Sequence, residues 1–357
     1  MRLLVLNAGS SSLKLTVLDG DTVVATHDVA GWDGDPGPVG AFVGECGDAA
    51  TIDAVGHRVV HGGVAFTGAV VVDDDVTAQL RDLCSLAPLH QPRALAALDA
   101  ARRALPEETI HVACFDTAFH ASIPPAAHVY ALPAAWRARW PLRRFGFHGL
   151  SHAYAVRRAA ELAGRPLAEM QIVSCHLGAG ASLCAVRDGR SVDTTMGFTP
   201  LEGLVMATRA GTVDPGLVLW LVQSGGLTPA EVLEGLEHGS GLVGLAATPD
   251  LHAVLERSAR GDADATLAFD VYGHRLRREL GAMAASLPGF DTCVFTGGVG
   301  EHAPEARAAG GLPRDPATNA RTTADGEIGL AGAAIRSFVV TAREDLEIAR
   351  QVHALLS

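Results

Sequence analysis

The chain has 357 residues, of which 48% are hydrophobic and 19% charged, and a formal net charge of −12. At about 100–200 residues per domain the length points to two domains, and the composition excludes both an intrinsically disordered chain and a broad nucleic-acid-binding surface. The longest apolar runs, such as 217–222, fall far short of the ~20 residues a membrane span needs, and the first run reaches Asn7 too soon for a secretory signal. A cytoplasmic protein without membrane or nucleic-acid partners is expected. The six cysteines show no C-x-x-C spacing, which fits small buried thiols in a reducing compartment.

In chain order, residues 3–7 form an apolar run. Ala8-Gly9-Ser10-Ser11-Ser12 is a small-residue turn, and 13–19 is a second run closed by Asp19-Gly20-Asp21. That pattern predicts strand, turn, strand. Lys14 lies in the second run and is the only lysine of the chain. Where arginine serves elsewhere, a retained lysine points to a need for a compact ammonium. Residues 31–47 are rich in Gly, Pro and Asp and aperiodic, so a loop is expected. A strand is predicted at 110–115, leading into Asp116-Thr117-Ala118-Phe119-His120. Ser151 is read as the cap of a helix over 152–163 that Gly164 ends.

From residue 171 the opening pattern returns: strand 172–176, turn 177–182, strand 183–187, then Asp188-Gly189. At an offset of 169, Gly9 falls on Gly178, Val17 on Val186, and Asp19-Gly20 on Asp188-Gly189. A duplication at half the chain length predicts two similar α/β domains. Asp214-Pro215 opens a further helix, 267–283 is another, and strand 292–296 runs into Gly297-Gly298-Val299-Gly300-Glu301. Residues 307–325 read as a loop. Strands alternating with helices predict mostly parallel sheets.

Three glycine-rich turns, each after a strand, could cradle phosphate: 7–14, 178–182 and 297–300. None is a P-loop, because no G-x-x-x-x-G-K-[ST] occurs. Together they suggest a nucleotide bound between domains. Arg58 and Arg209 sit among Gly, Val and Met, poor surroundings for a solvated cation. A buried arginine needs an anionic partner, either a phosphoryl group or an internal carboxylate. His57/His61 and His148/His152 are spaced i, i+4, but no Glu follows as in H-E-x-x-H, which argues against zinc. His148 between two residues of a glycine-rich segment could donate to a substrate oxyanion. Asp116 could orient water, metal or arginine, and Glu301 and Glu344 could enter a magnesium shell or be solvated acids.

The run 7–14 resembles the first signature of the acetate kinase (acetokinase) family, and Arg144-Phe145-Gly146-Phe147-His148-Gly149-Leu150-Ser151-His152 resembles the second. The likeness continues through 57–63, 86–90, 115–120, 191–215, 295–301 and 341–350. It implies a fold of two duplicated actin-like, ribonuclease H-like α/β domains with a nucleotide cleft between them. The first domain would comprise 1–118 plus 346–357, and the nucleotide-binding domain 119–345. The implied activity is Mg²⁺-dependent reversible transfer of the ATP γ-phosphoryl group to acetate, giving acetyl phosphate and ADP, with Mn²⁺ a possible substitute metal and a homodimer the expected assembly.

By motif match, the resemblance assigns Asn7 and Glu344 to the metal and Ser10, Ser12 and Lys14 to the phosphates. It gives Arg58 to the carboxylate, Arg209 to the migrating phosphoryl group, His148 to the transition state, and Asp116 to acid/base or orienting work. Val60, Leu89, Phe147 and Pro200 would wall the alkyl group. His176, Leu177, Gly178, Ala179 and Gly180 would cradle nucleotide phosphate, while Asp250, Leu251 and His252 with Gly297, Gly298, Val299, Gly300 and Glu301 would contact adenosine. Three positions depart from the family pattern. Ala179 replaces an Asn, His252 an Arg, and His302 an Asn, and the 20–55 and 305–327 regions look trimmed. Intact catalytic positions with altered nucleotide-side positions imply ordinary transfer chemistry with changed donor affinity or preference. A propionate or butyrate kinase would use the same machinery. A non-catalytic, Hsp70-like nucleotide-binding module is the reading from another class.

Overall fold

A computed structural model describes the chain apart from Ser10, Ser11, Asp48, Pro88 and Leu89 and the side chain of Ser85. Two residues singled out by sequence, Ser10 and Leu89, therefore lie outside the described residues. The chain divides into two compact units. The first comprises Met1–Ala121, Phe147–Tyr154 and Arg343–Ser357, and the second Ser122–Gly146 and Ala155–Ala342. Segments 119–121, 147–154 and 343–345, assigned by sequence to the second domain, thus group with the first. The reason is packing: Leu150 is buried in the same cluster as Leu3, Val5, Ile348 and Val352.

The first unit is built on a six-stranded sheet of order β3-β2-β1-β4-β6-β5. Its strands are β1 (Arg2–Ala8), β2 (Ser12–Asp19), β3 (Thr22–Ala30), β4 (Ala54–Val59), β5 (Val70–Val71) and β6 (Ile110–Phe115). β1, β4 and β6 are parallel; the β1-β2-β3 meander and β5 are antiparallel. Alternate residues serve opposite faces. Leu4, Leu6, Leu13, Leu15 and Val17 pack with Val39, Phe42, Ala97 and Ala101, from the helices Gly37–Glu45 and Gln91–Ala104. Leu3, Val5, Ala54, Val112 and Cys114 pack on the other face with the C-terminal helix Glu344–Leu356.

The second unit repeats this plan with β7 (Gln171–Leu177), β8 (Ala181–Arg187), β9 (Arg190–Thr194), β10 (Thr292–Thr296), β11 (Gly326–Glu327) and β12 (Arg336–Val339), ordered β11-β12-β10-β7-β8-β9. Strand order and directions match those of the first sheet, so the expected duplication is present. The sheets are mixed rather than mostly parallel, because each unit opens with a meander whose short turns enforce antiparallel pairing. The offset of 169 holds for β1 and β7. In the next strands the ladder equates Leu13 with Ala181, an offset of 168, because the first turn is one residue longer. At 168 the irregularity between Val17 and Leu18 falls on that between Ala185 and Val186.

Three local expectations are corrected. The segment 31–47 contains the helix Gly37–Glu45, which buries Val39, Phe42 and Val43 despite its glycines. Residues 307–325 include part of the helix Pro304–Ala309 and all of Pro316–Arg321. The helix expected at 152–163 begins at Gly149, so Ser151 lies inside it. Of the cysteines, Cys114, Cys175, Cys184 and Cys293 are buried as expected, but Cys46 and Cys84 are only half-buried. Among the described residues no helix is long and apolar enough to cross a membrane.

Candidate active site

Strand alternation places the first cluster. Along β1 the face that buries Leu3 and Val5 next presents Asn7; along β4 Ala54 is followed by Gly56 and Arg58; past β6 Val112 and Cys114 are followed by Asp116. Polar groups thus end three apolar rows at the carboxyl ends of three parallel strands, the usual place for ligands in α/β sheets. Arg58 Nε lies 3.2 and 3.1 Å from the Asp116 carboxylate oxygens, and its Nη2 donates to Oδ2 at 2.6 Å. Arg58 Nη1 donates to Asn7 Oδ1 at 3.0 Å and lies 3.5 Å from Glu344 Oε2. Asn7 Nδ2 donates to the same Glu344 oxygen at 2.6 Å.

Four predicted residues therefore form one network. Burial disfavours the Arg58 charge, but Asp116 and Glu344 outweigh it and hold the guanidinium protonated. Burial also pushes the Asp116 carboxyl above its ordinary range, against the pull of Arg58. Both Asp116 oxygens are occupied by Arg58, and the His148 backbone N–H also donates to this carboxylate. The geometry suits an orienting role for Asp116. A guanidinium has five N–H donors. Asp116 and Asn7 take three, and Glu344 lies in ion-pair range of Nη1, so the guanidinium is held on three sides.

His148 is half-buried with φ 56°, a left-handed backbone, immediately before the helix Gly149–Ala163. The next residue must be glycine: its N–H donates to Asp116 O at 3.0 Å, and a Cβ would overlap that oxygen. Phe147, the residue before His148, is buried, as is Val60, and His61 lies edge-on to Phe147 at 5.6 Å. Burial lowers His61 to about 4, so it stays neutral. Lys14 is exposed and pairs directly across the ladder from Asn7, so both side chains share a face. Ser12 accepts from Gly9 N at 2.7 Å through its backbone oxygen.

In the second unit, neighbouring parallel strands bring two of the glycine-rich turns together: Thr296 pairs with His176 at the ends of β10 and β7. The β7-β8 turn is closed by Gly178 N donating to Gly180 O at 3.0 Å. Leu177 is buried, while Ala179 is exposed. Ala207 N donates to Ala179 O at 3.1 Å, which sets the loop of Arg209 on this turn. Arg209 is half-buried. Its Nη1 meets Met206 Sδ at 3.8 Å, and among the described residues no carboxylate lies in ion-pair range of it. Burial lowers its pKa, opposed only by the more distant Glu237. Of the two outcomes expected for a buried arginine, Arg58 has the internal carboxylate and Arg209 does not. Pro200 is half-buried in the preceding segment.

The other residues expected at the nucleotide are differently placed. Gly298 is exposed and Val299 half-buried on the short helix Gly297–His302, whose Gly297 and Gly300 are buried. Glu301 is buried, and its Oε1 accepts from Ala342 N at 3.0 Å, so it braces the backbone. Asp250 caps the helix Leu251–Ala259 by accepting from His252 N at 2.9 Å, and Leu251 is buried. His252 is exposed and lies 3.5 Å from Glu256. Among the described residues no hydrogen bond joins 250–252 to the glycine-rich turns. His302 is exposed.

The oxygens of Asn7 and Glu344 fit a hard cation such as Mg²⁺, which takes one or two protein oxygens and fills its remaining positions with water and phosphate. Among the described residues no three His, Cys, Asp or Glu gather into a group that could hold a metal ion. His57 instead meets His111, Nε2 to Nδ1 at 2.9 Å, inside the fold. Sequence reasoning gave no role to Tyr130 or to Glu202, the latter lying within the quoted run 191–215. Tyr130 donates to Glu202 at 2.8 Å, and Arg144, quoted only within a motif, donates to it at 2.7 Å.

A model of the Acetokinase family matches residues 44–350. An acetate kinase of Synechococcus sp. (strain JA-2-3B'a(2-13)) is 40% identical over 405 aligned positions, covering 100% of this chain and 99% of that protein. The alignment is longer than the chain, in keeping with trimmed regions. Among solved structures, Porphyromonas gingivalis acetate kinase superposes with a TM-score of 0.92 at 32% identity over 100% of both chains. A propionate kinase from Francisella tularensis gives 0.90 at 31% identity over 98% of both.

Proposed function

This chain belongs to the acetokinase family, and from that premise we propose that it is an acetate kinase, moving the γ-phosphoryl group of ATP reversibly to acetate. It is a phosphotransferase with a carboxylate as acceptor. The observation that carries this reading is the contrast between two arginines. Arg58 is fixed by Asp116 and Asn7, with Glu344 3.5 Å from Nη1, which supports its reading as a pre-aimed grip for the acceptor carboxylate. Arg209 is half-buried with no carboxylate in ion-pair range among the described residues, the arrangement for a mobile phosphoryl anion.

A carboxylate is already a competent nucleophile, so the site needs no strong base. The barrier lies in bringing two anions together. Arg58 binds and aims the acceptor, Asp116 fixes Arg58, and His148 donates to the charge that develops. Arg209 and Lys14 offset the phosphoryl charge. By the family resemblance, Val60, Phe147, Pro200 and Leu89 would be the residues around the methyl group. Asn7 and Glu344 would hold Mg²⁺, or Mn²⁺, which when bound neutralises phosphate charge. The turn 176–180 and the segment 297–300 would take the nucleotide phosphates and adenosine side, with Ser10 and Ser12 at the phosphates. Asp250–His252 would complete the adenosine contacts, and Glu301 would act through the backbone it braces.

At the donor side, Ala179 offers only a methyl group and backbone, and His252 faces Glu256. We read this as weaker and less selective use of ATP among nucleoside triphosphates than in family members with polar groups there. A homodimer in the cytoplasm is the assembly we propose; exposed Leu217, Leu219 and Trp220 on the helix Pro215–Gln223 support self-association.

The test is acyl-phosphate formation, trapped as the hydroxamate, from ATP, Mg²⁺ and acetate, propionate or butyrate. Acetate should give the highest kcat/KM. Propionate is the second acceptor to weigh, because a propionate kinase shares this fold at 31% identity. One methylene in an apolar pocket is worth about 1–3 kcal/mol, so a preference of roughly ten-fold or more separates the two.

A further inference from the structure

Arg209 raises a question of geometry. Met206 Sδ, 3.8 Å away, is a soft and weak acceptor, so the guanidinium takes its direction from the loop that carries it. That loop is closed at its neck by Gly203 N donating to Thr212 Oγ1 at 3.1 Å and Thr212 N donating to Gly203 O at 3.0 Å. Within it Met206 N donates to Arg209 O at 3.2 Å, and outside it Ser240 N donates to Thr208 O at 3.0 Å. The loop is thus a braced frame, and whatever holds the neck sets the aim of Arg209.

Glu202 stands at that neck, next to Gly203. One carboxylate oxygen accepts from Arg144 Nη2 at 2.7 Å, and the other accepts from the Tyr130 hydroxyl at 2.8 Å. Tyr130 in turn accepts from Phe198 N at 2.9 Å, and Arg144 Nη1 donates to Thr195 O at 3.0 Å. One carboxylate therefore ties the segment that carries Tyr130 and Arg144 to its own, 72 and 58 residues further along the chain. The approach is close enough that a Cβ on Gly197 would overlap both Glu202 and the Tyr130 hydroxyl. Packing does not do this work from one side. A cavity of about 590 Å³ opens there, lined by Tyr130, Phe198, Leu201, Glu202, Thr212 and Leu236.

We propose that Glu202, held by Arg144 and Tyr130, is a positioning residue for phosphoryl transfer that acts through Arg209. The proposal rests on the reading of Arg209 as the ligand of the phosphoryl group. A partly buried carboxylate shared by two donors resists displacement far more than a single surface pair does. Small errors in the aim of a transition-state donor cost rate rather than ground-state affinity.

Glu202→Gln, Tyr130→Phe, Arg209→Ala and the double variant Glu202→Gln/Arg209→Ala test it by steady-state kinetics with circular dichroism as the fold control. Arg209→Ala should lose about 10²–10³ in kcat, the usual cost of one transition-state donor. Glu202→Gln should lose about 10-fold or more in kcat with KM for acetate and nucleotide within about two-fold, the signature of an interaction realised in the transition state. Glu202→Asp should recover part of that loss. In the Arg209→Ala background, Glu202→Gln should cost less than about two-fold more, because the two act as one unit. An additive loss, or one confined to KM, overturns the proposal. Near-normal kcat in Arg209→Ala overturns instead the reading of Arg209. Should Glu202→Gln not fold, Tyr130→Phe, which deletes one hydroxyl, carries the same comparison in both backgrounds.

Discussion

Asp116 carries two duties that separate under substitution. It closes the side of Arg58 through Nε and Nη2, and it takes the His148 backbone N–H. Asp116→Asn keeps the shape but cannot accept along both arms of the guanidinium. We expect kcat/KM for acyl-phosphate formation to fall by about 10²-fold, the cost of losing one aimed donor. Asp116→Leu leaves Arg58 buried without its pair and should also lose on the order of 3–5 kcal/mol of stability. Kinetics and denaturant titration of the two variants check this; equal kinetic losses with no difference in stability would contradict it. The residue scale was also the most legible from sequence. Asn7, Arg58, Asp116 and Glu344 were named from motifs and meet in one network. Glu202 and Tyr130 were not, because they are 72 residues apart and no local pattern marks their meeting.

At the scale of elements, β4 and β6 bury titratable groups against each other. His57 and His111 stack at 5.2 Å and share a hydrogen bond. Burial lowers His57 well below its ordinary value, helped by His111 and Arg102. Burial lowers both His111 and His61 to about 4. Their folded pKa values lie below the unfolded value of about 6.5, so the folded state prefers the neutral form. Their contribution is complete above pH 6.5 and is lost as pH falls towards 4, where the unfolded chain binds protons that the folded chain refuses. The denaturation midpoint should drop steeply between pH 7 and 4.5. His111→Gln, which leaves His57 a partner, should flatten that fall; parallel curves for the two proteins would refute the assignment. The elements themselves were legible where period 2 was clean, as in Ile110–Phe115 and Thr292–Thr296. They were missed where glycine and proline broke the pattern, as in Gly37–Glu45, whose buried side is set by tertiary packing.

At the scale of the whole molecule, the repeated strand order explains why one sequence holds two sets of glycine-rich turns. Each unit opens with the same meander, and each places its turn at the carboxyl ends of parallel strands. Duplication was legible from an offset of 169, but the slip to 168 was not, since it follows from a one-residue difference in turn length. Leu217 and Leu219 with Trp220 expose apolar surface on one helix, and Trp136 and Trp140 do so elsewhere in the same unit. Leu219→Glu/Trp220→Glu should shift the protein from dimer to monomer in sizing with light scattering. A wild-type monomer, or a variant that remains dimeric, would rule out this face.

The central claim is the transfer of a phosphoryl group to a carboxylate. Phosphorus-31 spectroscopy of the wild-type protein with ATP, Mg²⁺ and acetate tests it most directly, because product and side reaction give separate signals. The account predicts ADP and acetyl phosphate growing together, with inorganic phosphate appearing only as the product decays. ADP and inorganic phosphate in equal amounts without acetyl phosphate, or no turnover by protein that binds ATP, would contradict it.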